Sequence, residues 1–63
     1  MKITFVDETN EYLELTFCIN KDNRLYIESG NVSEEYMSGY VTLHKEDVRL
    51  LIIELKRMQK LME

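Results

Sequence analysis

The apolar residues of this chain repeat with one period before residue 44 and with another after it. Residues 2–43 alternate apolar and polar side chains, which is typical of half-buried β-strands, whereas residues 45–61 repeat apolar side chains every three to four positions, as an α-helix does. Short links rich in Asn and Asp, at 7–10 and 20–23, suit hairpins. The pattern predicts an α+β fold, with a four-stranded antiparallel β-meander followed by one C-terminal α-helix packed on one face, in a single ββββα domain over residues 1–63.

The boundaries of the predicted elements follow from the same pattern. The predicted strands are 2–6, 11–19, 24–29 and 36–43. The helix is predicted over 45–61, because His44 as N-cap would put Asp47 at N3, where a carboxylate accepts from free backbone amides. Leu43 and Val48 then take the positions of a hydrophobic staple.

The short chain limits how the fold can be stabilised. A domain of 63 residues buries only about 60% of the surface that its unfolded chain exposes, so small domains use disulfides, a metal or a partner chain. Cys18 is the only cysteine, which excludes an intrachain disulfide and fits a reducing cytoplasm. Cys18 and His44 do not make a zinc ligand set, so we expect no metal or cofactor. A partner chain is therefore the expected support.

Neither end of the chain predicts a membrane association. The N-terminal stretch MKITFVDE lacks the apolar core and the cleavage site of a signal peptide. The longest aliphatic run, Leu50 to Ile53, is far too short to span a bilayer. We expect a cytoplasmic protein with no membrane partner.

The predicted helix carries more apolar residues than one face needs. One stripe, which would lie on the sheet, contains Val48, Leu51, Ile52, Leu55, Met58 and Met62. A second stripe of large aliphatic residues projects on another side, and we predict that it packs on a twofold copy of the chain. The predicted dimer interface consists of Leu50, Ile53, Glu54, Arg57 and Leu61, with the Glu54 and Arg57 side chains pairing at its margin. The alternative is that this stripe lies half exposed or under a loop.

The strand alternation separates an aliphatic face from a face that carries the tyrosines. The predicted partner-binding face contains Tyr12, Arg24, Tyr26, Tyr36 and Tyr40. Tyrosine offers a large, stiff contact area with a polar tip, which favours a recognition surface. The alternative is that Tyr and Thr are there as good strand formers. A bulge at Gly39 would turn Tyr36 to the opposite side from Tyr40.

Residues that could support catalysis are few and poorly arranged. Cys18 and His44 could be a thiol and its base, but Cys18 lies within a predicted strand and no third group orients the pair. The acidic pairs fall in loops or in the first helical turn, where solvation and the helix dipole account for them. Only Gly30 and Gly39 are available for a phosphate loop. The sequence predicts a protein that is not an enzyme.

The segment GYVTLHKEDVRLLIIEL, residues 39–55, runs from the last strand into the helix and resembles the positive-cofactor family of single-stranded-DNA-binding coactivators. The layout of four strands and one helix is also similar to that family. The resemblance implies a dimer formed through the helices and a sheet face that binds single-stranded DNA. The family's strands are rich in Lys and Arg, whereas here the tyrosine side offers Lys2 and Arg24 against Glu14 and Glu28.

The charge distribution decides between partners. The net charge is −4, with four basic against ten acidic residues over 1–47 and four basic against two acidic residues over 48–63. An acidic body releases few counterions from a nucleic acid, which disfavours nucleic-acid binding. We therefore predict a homodimeric binding module with a protein partner, such as an adaptor or inhibitor of the kind common on phages and mobile elements. The alternative is a single-stranded nucleic-acid-binding protein that uses the tyrosines as a stacking platform.

Overall fold

A computed structural model describes residues 1–31 and 34–62, and the side chains of residues 1–30 and 39–62. In these ranges the chain forms four strands and one helix: β1 (Lys2–Val6), β2 (Leu13–Ile19), β3 (Leu25–Asn31), β4 (Glu34–Leu43) and α1 (Lys45–Leu61). The strands pair in the order β1-β2-β3-β4, each antiparallel to its neighbour. The predicted α+β class, with an antiparallel meander followed by a C-terminal helix, is confirmed.

The two hairpin loops between β1, β2 and β3 are built by Asp and Asn side chains. In the first loop the Asp7 carboxylate accepts from the backbone amide of Asn10 at 2.9 Å. In the second loop the side-chain oxygen of Asn20 accepts from the amide of Asp22 at 3.0 Å. Asn23 there has a φ of 59°, in the left-handed region that Asn tolerates better than most residues. These local bonds explain why the short polar links form tight turns.

Strand β2 begins two residues later than the predicted start at residue 11. The amide of Tyr12 donates to the side-chain oxygen of Asn10, and the amide of Leu13 donates to the backbone oxygen of Asn10, both at 3.0 Å. These bonds hold residues 10–13 in a turn, so Tyr12 precedes the strand. The alternation alone could not separate a turn from the strand that it enters.

The pairing of β3 with β4 is irregular at its far end. Ser29 pairs with Gly39, but Asn31 pairs with Glu34, so the register shifts between these two positions. Gly39 itself is regularly paired, so the irregularity lies beyond the position considered for a bulge. Tyr36 lies in β4, but its side chain lies outside the part of the chain that the structure describes.

The helix begins as the sequence predicts. His44 is the N-cap, and its Nδ1 accepts from the Asp47 amide at 3.4 Å. The Asp47 carboxylate lies 3.3 Å from His44 Nε2, so Asp47 reaches back to the side chain of the cap. Acidic residues in the first turn match the positive end of the helix dipole.

The packing of the helix differs from the expected cover over one face of the sheet. Only His44 lies between β4 and α1, with an extended backbone, and β4 is the strand that the helix chiefly contacts. Connections between a strand and a helix that packs back on the sheet usually have about two to six residues. The short junction therefore directs α1 away from the end of β4, and no described helix residue is buried.

The chain on its own has almost no buried interior. Among the described side chains no hydrophobic residue is buried, and the one buried polar residue is Thr16, which is 8% exposed. Its hydroxyl lies 3.2 Å from the hydroxyl of Thr4 on the neighbouring strand. Over the same residues, no helix has the length and apolar content that crossing a bilayer requires.

Candidate binding surfaces

The strand register divides the described side chains of the sheet between two faces. Residues paired directly across neighbouring strands share a face, and Thr4, Thr16, Glu28 and Tyr40 form one such row through all four strands. We call this side the tyrosine face; its described members are Lys2, Thr4, Val6, Glu14, Thr16, Cys18, Tyr26, Glu28, Tyr40 and Thr42. The other side is the apolar face, which includes Ile3, Phe5, Leu15, Phe17, Ile27 and Val41.

The tyrosine face carries one ordered aromatic pair. The rings of Tyr26 and Tyr40 stack with centroids 5.5 Å apart and planes 25° apart. The Tyr26 hydroxyl donates to Glu28 Oε2 at 2.6 Å, and this bond holds the Tyr26 ring in place. The Tyr40 ring packs against the Tyr26 ring, and Tyr40 remains 70% exposed. The pair therefore presents a large aromatic surface whose position is set before any ligand arrives.

The Glu28 carboxylate changes the titration of Tyr26. The hydrogen bond to the carboxylate, followed by partial burial and by the negative charge nearby, raises the pKa of Tyr26 from 10.0 to about 12. The contribution of this bond to folding is thus complete below pH 10 and is lost as the pH rises toward 12.

We expect Glu28→Gln to return the pKa of Tyr26 toward its ordinary value. The substitution keeps the shape of the side chain and removes the charge that favours the protonated phenol. Tyrosinate absorbance followed during an alkaline titration measures the change. In the parent protein we expect Tyr26 to titrate late, with a pKa of about 12, and Tyr26→Phe should remove that late step. A late step that persists in Glu28→Gln would show that the carboxylate is not its cause.

The structure brings together two of the five predicted members of the partner-binding face. Tyr12 lies before the start of β2, six residues from Cys18, which is the residue of β2 opposite Tyr26. Arg24 lies in the turn before β3, where its amide donates to Asn20. Tyr26 and Tyr40 form the pair, and the Tyr36 side chain lies outside the described residues.

Sequence reasoning missed the role of Glu28. A residue two positions from Tyr26 in a strand projects on the same face, so the spacing itself contained the signal. Glu28 also lies directly opposite Tyr40 in β4. The carboxylate accepts from the Tyr26 hydroxyl, and Glu14 adds a second acidic side chain to the tyrosine face.

The apolar face is open and contains two adjacent cavities. Phe5 and Phe17 meet edge to face with ring centroids 6.0 Å apart. One cavity of about 440 Å³ is lined by residues that include Phe5, Leu15 and Ser29. A second, of about 340 Å³, shares Leu15 and Ser29 and extends over Ile27 and Val41. Together they form a groove that runs from the end of β1, where Val6, Asp7 and Glu14 also line it, to Val41 of β4.

The predicted interface residues of the helix are exposed in the single chain. Ile53 is 46% exposed, Leu50 is similar, and Leu61 is exposed further. Arg57 Nη1 lies 3.5 Å from Glu54 Oε2, so these two side chains pair within their own helix. The helix thus offers an apolar stripe with an ion pair beside it.

The groups considered for catalysis are separate in the fold. Cys18 lies in mid-sheet opposite Lys2 and Tyr26, while His44 follows the end of β4, two strands away. Among the described residues, no three His, Cys, Asp or Glu side chains are grouped as metal ligands.

Comparison of the chain with protein-family models, with curated proteins and with solved structures finds no match.

Proposed function

We propose that this chain is a non-enzymatic binding module, homodimeric through its C-terminal helix, that captures a basic protein partner on its tyrosine face. The observation that carries the proposal is the Tyr26–Tyr40 pair. The exposed Tyr40 ring stacks on the Tyr26 ring, whose hydroxyl donates to the Glu28 carboxylate. Tyrosine rings held in place lose little conformational freedom on binding, which makes them effective contact residues. Such a module acts as an adaptor or an inhibitor.

The dimer is supported by the exposed helix. Small domains rarely fold on a core that one short chain supplies, and the described part of this chain buries no hydrophobic side chain. Leu50, Ile53 and Leu61 lie on one side of α1, where a twofold copy would remove them from water.

The basic character of the partner is supported by charge. Residues 1–47 carry ten acidic and four basic side chains. Glu14 and Glu28 lie on the tyrosine face itself, where Lys2 is the basic side chain among its described members. Arginine and lysine of a partner can pack on a tyrosine ring and pair with a nearby carboxylate.

We expect Tyr40→Ala to weaken binding of a basic peptide roughly 30-fold, a loss of about 2 kcal/mol that is typical of a central aromatic contact. Fluorescence anisotropy measures it with labelled basic and acidic peptides of equal length. Tyr12→Ala is the matched control, because Tyr12 is also exposed but lies outside the pair. Melting temperature should hardly change in either variant, since both side chains are largely in water.

The same assay with a labelled single-stranded oligonucleotide at low salt tests the alternative partner. Binding of the oligonucleotide, sensitive to Tyr40→Ala, with no binding of basic peptides, would replace the proposed partner by a nucleic acid that stacks on the rings. Equal binding of acidic and basic peptides would contradict the charge argument.

A further inference from the structure

We propose that the helix of each chain lies in the groove of the apolar face of a second copy, so that the dimer exchanges helices. The inference rests on the homodimer of the proposed function and adds the surface that the helix occupies. It leaves the tyrosine face free, because that face is the opposite side of the sheet.

The first argument is that the helix does not cover its own sheet. A junction of one residue, His44, leads directly from β4 into α1, and the helix leaves the apolar face open. The nearest source of an apolar helix for that face is therefore another copy of the same chain.

The second argument is that both surfaces are apolar and match in size. The groove combines cavities of about 440 and 340 Å³ that share Leu15 and Ser29. A helix of 17 residues is about 25 Å long, and four strands span about 15 Å, so α1 is long enough to cross the whole sheet. Its first stripe, with Ile52, Leu55 and Met58, is about half exposed and is free to enter the groove.

The third argument is the opposite charge of the two parts. Residues 1–44, which precede α1, carry three basic and eight acidic side chains, whereas α1 carries five basic and three acidic ones. At 100° per residue, four basic side chains fall along one edge of the first stripe: Lys45, Arg49, Lys56 and Lys60. Asp7 lines the larger cavity. A helix crossing the sheet of a second copy brings this basic edge to an acidic body.

Exchange also accounts for both apolar stripes of the helix. The first stripe enters the groove of the second copy. The stripe with Leu50, Ile53 and Leu61 faces away from that sheet and is available to meet its symmetry mate near the twofold axis. In the exchanged dimer, both apolar stripes of α1 are therefore removed from water.

The test is a mixture of two damaged chains. Leu55→Asp damages the helix, and Ile27→Asp damages the groove, so a dimer of either variant alone has no intact contact between helix and sheet. A mixed dimer regains one intact contact, between the normal helix of Ile27→Asp and the normal groove of Leu55→Asp. Each variant is unfolded in urea, alone or mixed, and then refolded. Circular dichroism and sedimentation follow the product.

The expected result is a mixed dimer that melts cooperatively and is less stable than the parent dimer. Each variant refolded alone should form little folded dimer. A mixture of Leu55→Asp with Ile52→Asp is the matched control and should give no rescue, because both damage the helix. Absence of rescue in the first mixture would overturn the exchange. A parent protein that sediments as a monomer would instead overturn the homodimer, and neither outcome depends on whether the tyrosine face binds a peptide.

Discussion

Ile53→Asp is expected to abolish self-association, with the dissociation constant of the dimer rising at least about 1000-fold. In a twofold dimer the substitution occurs twice, and loss of each buried aliphatic side chain costs about 2–5 kcal/mol. A total of about 4 kcal/mol corresponds to that change in affinity. The new carboxylates would also face each other across the contact, which adds to the loss.

Sedimentation over a range of micromolar concentrations measures the effect. Lys56→Asp is the comparison, because it places the same carboxylate on the basic edge of the same helix, where the exchanged dimer has surface ion pairs and no buried side chain to lose. It should weaken the dimer by less than about tenfold, in the range of surface ion pairs. A dimer as tight in Ile53→Asp as in the parent protein would exclude Ile53 from the interface, and a stable folded monomer would exclude the dimer.

Most of the backbone could be predicted because its signals are local. The helix bounds of Lys45–Leu61 match the prediction, since the His44 cap and the acidic first turn act within four residues of one another. The hairpin turns follow in the same way from Asp7 and Asn20, whose side chains bond to amides two or three residues away.

The direction of the helix could not be predicted because it depends on the junction rather than on the amphipathic pattern. A stripe of apolar residues indicates that the helix is covered, but it does not say by which chain. The direction of the helix follows from the one residue between β4 and α1, His44, whose backbone is extended.

Which tyrosines stack depends on the register between β3 and β4. Alternation placed Tyr26 and Tyr40 on one face, but their stacking needs the β3–β4 register that sets Tyr40 opposite Glu28. Tyr12 precedes β2 because the turn at Asn10 extends to Leu13. Side-chain competition for backbone amides, which alternation does not represent, therefore fixed the limits of the site.

Phe5→Ala is expected to lower the melting temperature by more than about 10 °C, although the ring is 59% exposed in the single chain. Truncating an exposed side chain usually changes stability by no more than about 0.5 kcal/mol, and the edge contact with Phe17 adds roughly 0.5–1.5 kcal/mol. A ring covered by the helix of a second copy would instead lose about 3–5 kcal/mol. In a domain of this size each kcal/mol shifts the melting temperature by about 4–8 °C.

Tyr12→Ala is the control for Phe5→Ala, because it also removes an aromatic ring, and Tyr12 is 52% exposed in the turn before β2 and lines neither cavity. Calorimetry at one fixed chain concentration compares the two, since the melting temperature of a dimer depends on concentration. Exposure in the single chain is similar at the two positions and both substitutions remove an aromatic ring, so a difference in melting temperature larger than the Phe5–Phe17 contact accounts for indicates that the apolar face is covered. Small and similar effects at both positions would mean that the groove stays open to water.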